Sequence, residues 1–239
     1  PESIEKNISP YTKAIISVDI FGHPANTREI NSIAKKYNLK VISDTAQSPG
    51  AINNSKFAGT LTDIGGYSLN YHKHINTGEG GILVTNDDEL ALRMRLIRNH
   101  GEACVEDLNV QNISNIVGYN FRLGEIECAI GIEQLKKLPE LVNEKRKFAR
   151  QLNNGLKDLK GLTLPYIHKN CTHSFYIYKM KIDPKITKVS RDTIFQALGA
   201  EGIPGLMNGF ANLHLLPMYQ KKIAYGKNGF PWTSDICKR

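Results

Sequence analysis

Lys13-Ala14-Ile15-Ile16-Ser17-Val18, then Thr27-Arg28-Glu29-Ile30 opening a stretch that runs to about Tyr37, then Leu39-Lys40-Val41-Ile42-Ser43: these three consecutive segments decide the fold class. The first is a short, β-branched, apolar run and predicts a buried strand. Phe21-Gly22-His23-Pro24 is a loop. Thr27 suits a helix N-cap, and Ile30, Ile33 and Ala34 share one helical face. The third segment predicts the next strand. Strand, helix and strand in this order imply a parallel pair joined by a right-handed crossover.

The same pattern extends downstream. Asp63 to Leu69 and Gly81 to Thr85 predict two further short strands. Asp87-Asp88-Glu89 places acids in the first turn of a helix reaching about Arg98, whose later turns carry Arg93, Arg95 and Arg98. The first half is therefore α/β with a largely buried, mainly parallel sheet. From Leu123 onward Ile126, Ile130, Leu135 and Leu138 recur near helical spacing, and Pro139 is expected to restart a second helix ending near Leu159. Leu162 to Leu164 and Ser174 to Ile182 predict strands, the latter on the alternation in Phe175-Tyr176-Ile177-Tyr178. Ser190 caps a helix to Leu198. Residues 1–145 thus form a large domain with its bridging helices, and 146–239 a smaller C-terminal α+β domain.

Bulk properties narrow the function. A chain of 239 residues with 41% hydrophobic content can bury real cores. It has no run of 18 apolar residues, so no membrane span is expected. Cys104, Cys128, Cys171 and Cys237 form no C-x-x-C pair and no zinc spacing. They read as reduced thiols of a cytoplasmic protein. The net charge of +8 favours anionic partners. Its densest spots, Lys136-Lys137 and Lys221-Lys222, are not interleaved with aromatics, so a phosphorylated small molecule or a solvated surface explains the charge as well, and no nucleic-acid partner is expected.

Chemistry-bearing residues concentrate between positions 43 and 81. Ser43-Asp44-Thr45-Ala46-Gln47 ends a predicted parallel strand, the edge at which open α/β sheets bind ligands. Then follows Gly66-Tyr67-Ser68-Leu69-Asn70-Tyr71-His72-Lys73-His74-Ile75-Asn76-Thr77-Gly78-Glu79-Gly80-Gly81. It matches neither a P-loop nor a dinucleotide fingerprint. A lysine between a strand and a Gly-rich turn can approach a ligand closely, and a lysine with a lowered pKa can act as a nucleophile. Singly, each residue has a plain structural explanation: Asp44 caps a turn, Lys73 is solvated, Glu79 is a loop acid.

The order of these residues is more specific than any one of them. Asp-x-x-Gln after a strand, Ser68, Lys73 five residues later, and Thr77-Gly78-Glu79-Gly80-Gly81 resemble the DegT-type nucleotide-sugar aminotransferases, fold-type-I enzymes that use pyridoxal 5'-phosphate (PLP). The resemblance continues through Arg98-Asn99-His100-Gly101, Gly118-Tyr119-Asn120-Phe121-Arg122-Leu123-Gly124-Glu125, Gln134-Leu135 and Leu213-His214-Leu215-Leu216-Pro217-Met218-Tyr219. It implies that Lys73 carries the cofactor and later moves the proton, that Asp44 pairs with the pyridinium nitrogen, that Gln47 bonds the phenolic oxygen, and that Ser68 donates to the phosphate. It further implies that Asn120 reaches the cofactor phosphate of a second copy, making a homodimer, and that His214 contacts substrate, although a core role suits His214 equally. The implied reaction moves an amino group from glutamate or glutamine to a nucleotide-linked keto sugar in polysaccharide or related amino-sugar biosynthesis.

Two alternatives stand beside it. A related dehydratase branch uses histidine in the lysine's place; here the spacing from Ser68 puts Lys73 rather than His72 in that slot. A non-catalytic regulatory member would have no need of Lys73, Asp44 and Gln47 together. Set against the family, the chain is expected to begin after the Gly/Thr/Ala phosphate loop and the ring-stacking residue, and to stop before the usual final segment.

Overall fold

The computed structural model describes residues 1–102, 116–223, 225–226 and 228–235. Cys104 and Cys237 lie outside the described residues. The elements in chain order are α1 (Glu2–Lys6), β1 (Ala14–Val18), α2 (Thr27–Lys36), β2 (Lys40–Asp44), β3 (Ile52–Asn53), β4 (Lys56–Phe57), β5 (Ile64–Ser68), β6 (Gly81–Val84), α3 (Asp88–Arg98), α4 (Glu125–Leu156), β7 (Leu162–Thr163), β8 (Lys181–Ile182), α5 (Pro184–Thr187), α6 (Arg191–Ala200) and α7 (Pro217–Gln220).

The main sheet has the order β1-β2-β5-β6. The first three strands are parallel and β6 returns antiparallel to β5. The predicted β1–α2–β2 unit is present, and the register sets Val18 beside Asp44 and Asp44 beside Gly66. Helix α2 is capped by Asn26, whose side chain accepts the Glu29 N–H, one residue before the expected Thr27. Its apolar face is the expected one. Ile30 and Ala34 pack on Ile15 and Val41, with Ile4, Ala25, Ile33 and Leu39 around them.

The sheet departs from expectation on its other face. Strand β1 alternates exposed and buried residues. Ile16 is 68% and Val18 46% exposed, and in β6 Leu83 is 60% exposed. Among the described residues one face is covered by α2 and the opposite face is open, so these strands are half-buried despite their continuous apolar sequence.

Close packing at the strand ends explains one glycine. A Cβ on Gly65 would stand 2.0 Å from the Gly59 carbonyl oxygen. No side chain fits there, and β5 can pass under the Gly59 loop only as glycine. The β3–β4 hairpin, not foreseen from the sequence, turns on Asn54 and Ser55, both with positive φ. Asn is among the residues that tolerate that region best.

Helix α4 runs unbroken through Pro139, where a restart was expected. Proline removes one interior hydrogen bond and crowds the carbonyl four residues earlier, at about 3 kcal/mol. Tertiary anchoring offsets this. Val142 and Ala149 are buried, and Arg146 donates to the carbonyls of His173 and Gly50 and to the Thr172 hydroxyl. The stripe of Ile126, Ile130 and Leu135 is exposed.

The chain forms two compact units, Pro1–Lys181 and Ile182–Arg239. The position 145, expected as a boundary, lies inside α4. Residues 174–180 were expected as strand, but regular pairing is confined to Lys181–Ile182. Within the second unit, Ser190 caps α6 as expected by accepting the Thr193 N–H at 3.1 Å. A short 3-10 turn, Leu213–Leu215, precedes α7.

Candidate active site

The C-terminal ends of β1, β2 and β5 bring the candidate residues together. Asp44 is the last residue of β2 and Ser68 the last of β5. The ladder continues one step past β2: the Asp19 N–H donates to the Asp44 carbonyl, and the Thr45 N–H to the Gly66 carbonyl. This fixes the backbone on both sides of Asp44.

A loop closed on itself presents Lys73. The Leu69 N–H donates to the Gly80 carbonyl and the Thr77 N–H to the Leu69 carbonyl. Asn70 Nδ2 donates to Glu79 Oε1, and the Thr77 hydroxyl to the Glu79 carbonyl. Leu69 and Ile75 bury their side chains and pin the loop from beneath. Glu79, read alone as a loop acid, is thus a brace of the lysine loop.

Lys73 is half-buried, and its Nζ lies over the Tyr176 ring, 4.6 Å from the centroid. Burial lowers its pKa, and the Asp44 carboxylate acts in the opposite direction. Lowering makes a larger share of the amine neutral and hence nucleophilic near pH 7. The Asp44 field places both groups in one electrostatic site.

Whether these residues suit PLP turns on which polar atoms the protein leaves available. Asp44 is exposed, and one oxygen accepts the Ala46 N–H at 3.1 Å. The other oxygen has no hydrogen-bond partner among the described residues and can accept a ring N–H. Gln47 Oε1 accepts the Phe21 N–H at 2.7 Å, which fixes the amide orientation and leaves its NH2 to donate. Ser68 Oγ accepts the Asn70 N–H, and its hydroxyl proton is available. An acceptor, two donors and a half-buried amine converge at one sheet edge. This set fits the group.

One other expectation is not brought here. Asn120 is exposed, bridges through its backbone to Asn99, and makes no hydrogen bond to Lys73, Asp44, Gln47 or Ser68. His214 is exposed on the 3-10 turn of the second unit.

Several supporting residues were not singled out by sequence reading. Asp19, 1% exposed, accepts from the Ala25 N–H and the Thr45 hydroxyl, while its carbonyl accepts the Ser48 hydroxyl. Burial raises its pKa, opposed by those hydrogen bonds. It ties the end of β1 to the Asp44–Ser48 turn. Ser174, fully buried, donates from its N–H to the Gly22 carbonyl and sets its hydroxyl at 3.3 Å from both the Gly22 and Gln47 carbonyls. Its own carbonyl faces His74 Nε2 at 2.9 Å. A carbonyl only accepts, so Nε2 carries the proton. His74 Nδ1 is buried with no hydrogen-bond partner among the described residues, and burial pushes this imidazole down to about 4. A charged or hydroxylic residue directly after a buried strand was the available signal for Asp19; nothing local signals Ser174.

The strand ends of this α/β sheet thus present Asp44, with one oxygen free of hydrogen bonds among the described residues, and the loop that follows β5 presents a lysine whose pKa burial lowers. The whole chain, residues 1–239, matches the DegT/DnrJ/EryC1/StrS aminotransferase family, and it belongs to that family. It is 34% identical to GDP-perosamine synthase of Caulobacter vibrioides over 217 residues, covering 90% of this chain and 57% of the synthase. It superposes on Helicobacter pylori PseC, an aminotransferase involved in the biosynthesis of pseudoaminic acid, with a TM-score of 0.80 and 29% identity, covering 92% of this chain and 58% of PseC. It also resembles the E. coli GDP-4-keto-6-deoxy-D-mannose-3-dehydratase, solved with bound hydrated PLP, with a TM-score of 0.74 and 33% identity over 84% of this chain and 55% of that one. The chain therefore spans somewhat over half the length of these relatives.

Proposed function

We propose that this chain carries the cofactor lysine of a PLP-dependent aminotransferase acting on a nucleotide-linked keto sugar, with glutamate or glutamine as amine donor. The observation that carries the reading is Lys73, held half-buried with a lowered pKa within the field of Asp44. PLP, when bound, supplies an electron-accepting ring that allows nitrogen to pass between the donor and acceptor carbons. The residues of this chain bind and orient it. The free oxygen of Asp44 would accept the ring N–H and keep that proton in place. Gln47 would donate its NH2 to the phenolic oxygen, and Ser68 would donate to the phosphate. Lys73 would hold the cofactor, and its amine would serve as the base that moves the proton at the donor carbon.

Asn120 is proposed to reach the phosphate bound by a second copy, in a homodimeric cytoplasmic enzyme. Its exposure, and that of the nearby Ile126 and Ile130, supports a partner on that side. His214 is proposed as a substrate contact. The similar dehydratase supports a second reading, in which a histidine takes the lysine's place; the residue five positions after Ser68 is Lys73 rather than His72, which favours transamination.

Borohydride reduction in the presence of PLP tests the assignment. The label is expected on the Lys73 peptide, with none in Lys73→Ala. Label on another lysine overturns it. Amination of a keto-sugar nucleotide, rather than loss of its neighbouring hydroxyl, is the expected outcome of product analysis.

A further inference from the structure

Three consecutive side chains of the lysine loop meet one aromatic ring. Lys73 Nζ lies 4.6 Å from the Tyr176 centroid, and the His72 and His74 rings lie at 6.1 and 6.0 Å. Tyr176 is only half-buried, and its hydroxyl has no hydrogen-bond partner among the described residues. Neither core packing nor hydroxyl bonding accounts for it. The ring face is the part in use.

The ring is also held firmly. Ser174 bonds to Gly22 and sits against Gln47, and the Ile177 N–H donates to the Phe21 carbonyl. A Cβ on Gly22 would fall 2.7 and 2.8 Å from the Phe175 and Tyr176 nitrogens, so this strap lies directly on the β1 exit. From the other side His74 Nε2 donates to Ser174. Tyr176 therefore keeps its place relative to Gln47 and the lysine loop alike.

We propose that Tyr176 is a positioning residue for Lys73, its ring face being the seat of the lysine ammonium whenever the amine is not joined to a cofactor. The functional weight of this seat rests on the reading of Lys73 as the cofactor lysine. A four-carbon stem has many rotamers, and among the described residues the carboxylate acting on Lys73 is that of Asp44. An ion pair between them would occupy the oxygen that a ring N–H requires. The electron-rich face of Tyr176 offers the ammonium another resting place and leaves Asp44 open. It also returns the amine to one location, which a group that must leave and come back within each turnover needs.

The titratable groups around this seat are His72 and His74 on the loop itself, Asp44 at the end of β2, Tyr176 with Tyr71 beside it, and Lys145 of α4 near His74. The test reads the amine in the cofactor-free chain: labelling of Lys73 by trinitrobenzenesulfonate across pH, located by peptide mapping. Tyr176→Leu keeps an apolar wall and removes the π face. The ammonium then loses its stabilisation, and the labelling midpoint moves to lower pH. At neutral pH the rate rises about two- to fivefold. Tyr176→Phe keeps the wild-type midpoint, and Lys40 is unchanged in both. If Tyr176→Leu fails to fold by circular dichroism, Tyr176→Met takes its place. A faster plateau at an unmoved midpoint means simple shielding and overturns the proposal, as does an equal shift in Tyr176→Phe. Because no cofactor is present, this result stands apart from the borohydride labelling that decides the aminotransferase reading.

Discussion

Asp19 directly follows β1 and Asp44 ends the adjacent β2, one register step apart, yet their oxygens are used differently. Asp19 has both oxygens bonded and is buried; Asp44 has one oxygen bonded and is exposed. The first is structural and the second available. Asp19→Ala leaves the half-buried Ala25 N–H and the buried Thr45 hydroxyl without an acceptor and should cost about 1–3 kcal/mol in urea unfolding. Asp44→Asn should leave the unfolding midpoint within the range of surface changes. It should lower turnover about a hundredfold or more, because a few kcal/mol of charge stabilisation in the transition state is lost. Near-normal turnover would mean that another group serves the ring nitrogen. Asp44 was legible because Asp-x-x-Gln, Ser68 and Lys73 fall in order along the chain. Asp19 was not, because one partner comes from the irregular loop at Ala25 and the other, Thr45, is brought to it only by the register of β1 on β2.

At the level of elements, local signals succeeded where bonding is local. The β1–α2–β2 unit, the acidic first turn of α3, the Ser190 cap, and strands β5 and β6 follow from short-range pattern. The strap from His168 to Ile177 did not, because its alternation imitates a strand while its bonds go to Gly22, Phe21 and Ile52. This strap should be acid-sensitive. His173 Nδ1 accepts the Phe175 N–H at 2.8 Å and His23 Nε2 accepts the His168 N–H at 3.1 Å, and a protonated nitrogen can do neither. Burial holds His173 at about 4, as it does His74. Their unfolded values lie near 6.5, so between pH 6.5 and 4 the unfolded chain binds more protons. Stability should be full above that window and fall as pH drops through it. His173→Asn retains a carbonyl acceptor for Phe175 without titrating, and should flatten that acid limb by about half in urea titrations from pH 7 to 4.5. An unchanged limb would place the titration elsewhere.

At the scale of the whole molecule, two open apolar surfaces differ in geometry and should associate differently. Ile126 and Ile130 stand one turn apart on α4, 76% and 45% exposed. A stripe on a long helix can meet its own copy about a two-fold axis, and such a contact closes at two chains. Strand β1, in contrast, is the outer strand of the described sheet, and Ile16 and Val18 project from its open face. An unpaired strand edge beside an apolar face propagates, because each added copy presents the edge again. The chain is therefore expected to form open-ended assemblies whose size grows with concentration in analytical ultracentrifugation. Ile16→Lys should suppress that growth by placing a charge on the open face, and should leave a dimer. Adding Ile130→Glu should reduce the dimer to a monomer. If Ile130→Glu alone abolishes all association, the helix stripe is the only adhesive surface and the sheet face is inert. If Ile16→Lys alone gives monomers, the proposed homodimer forms through the sheet instead, and Asn120 loses its reason to face a second copy's cofactor.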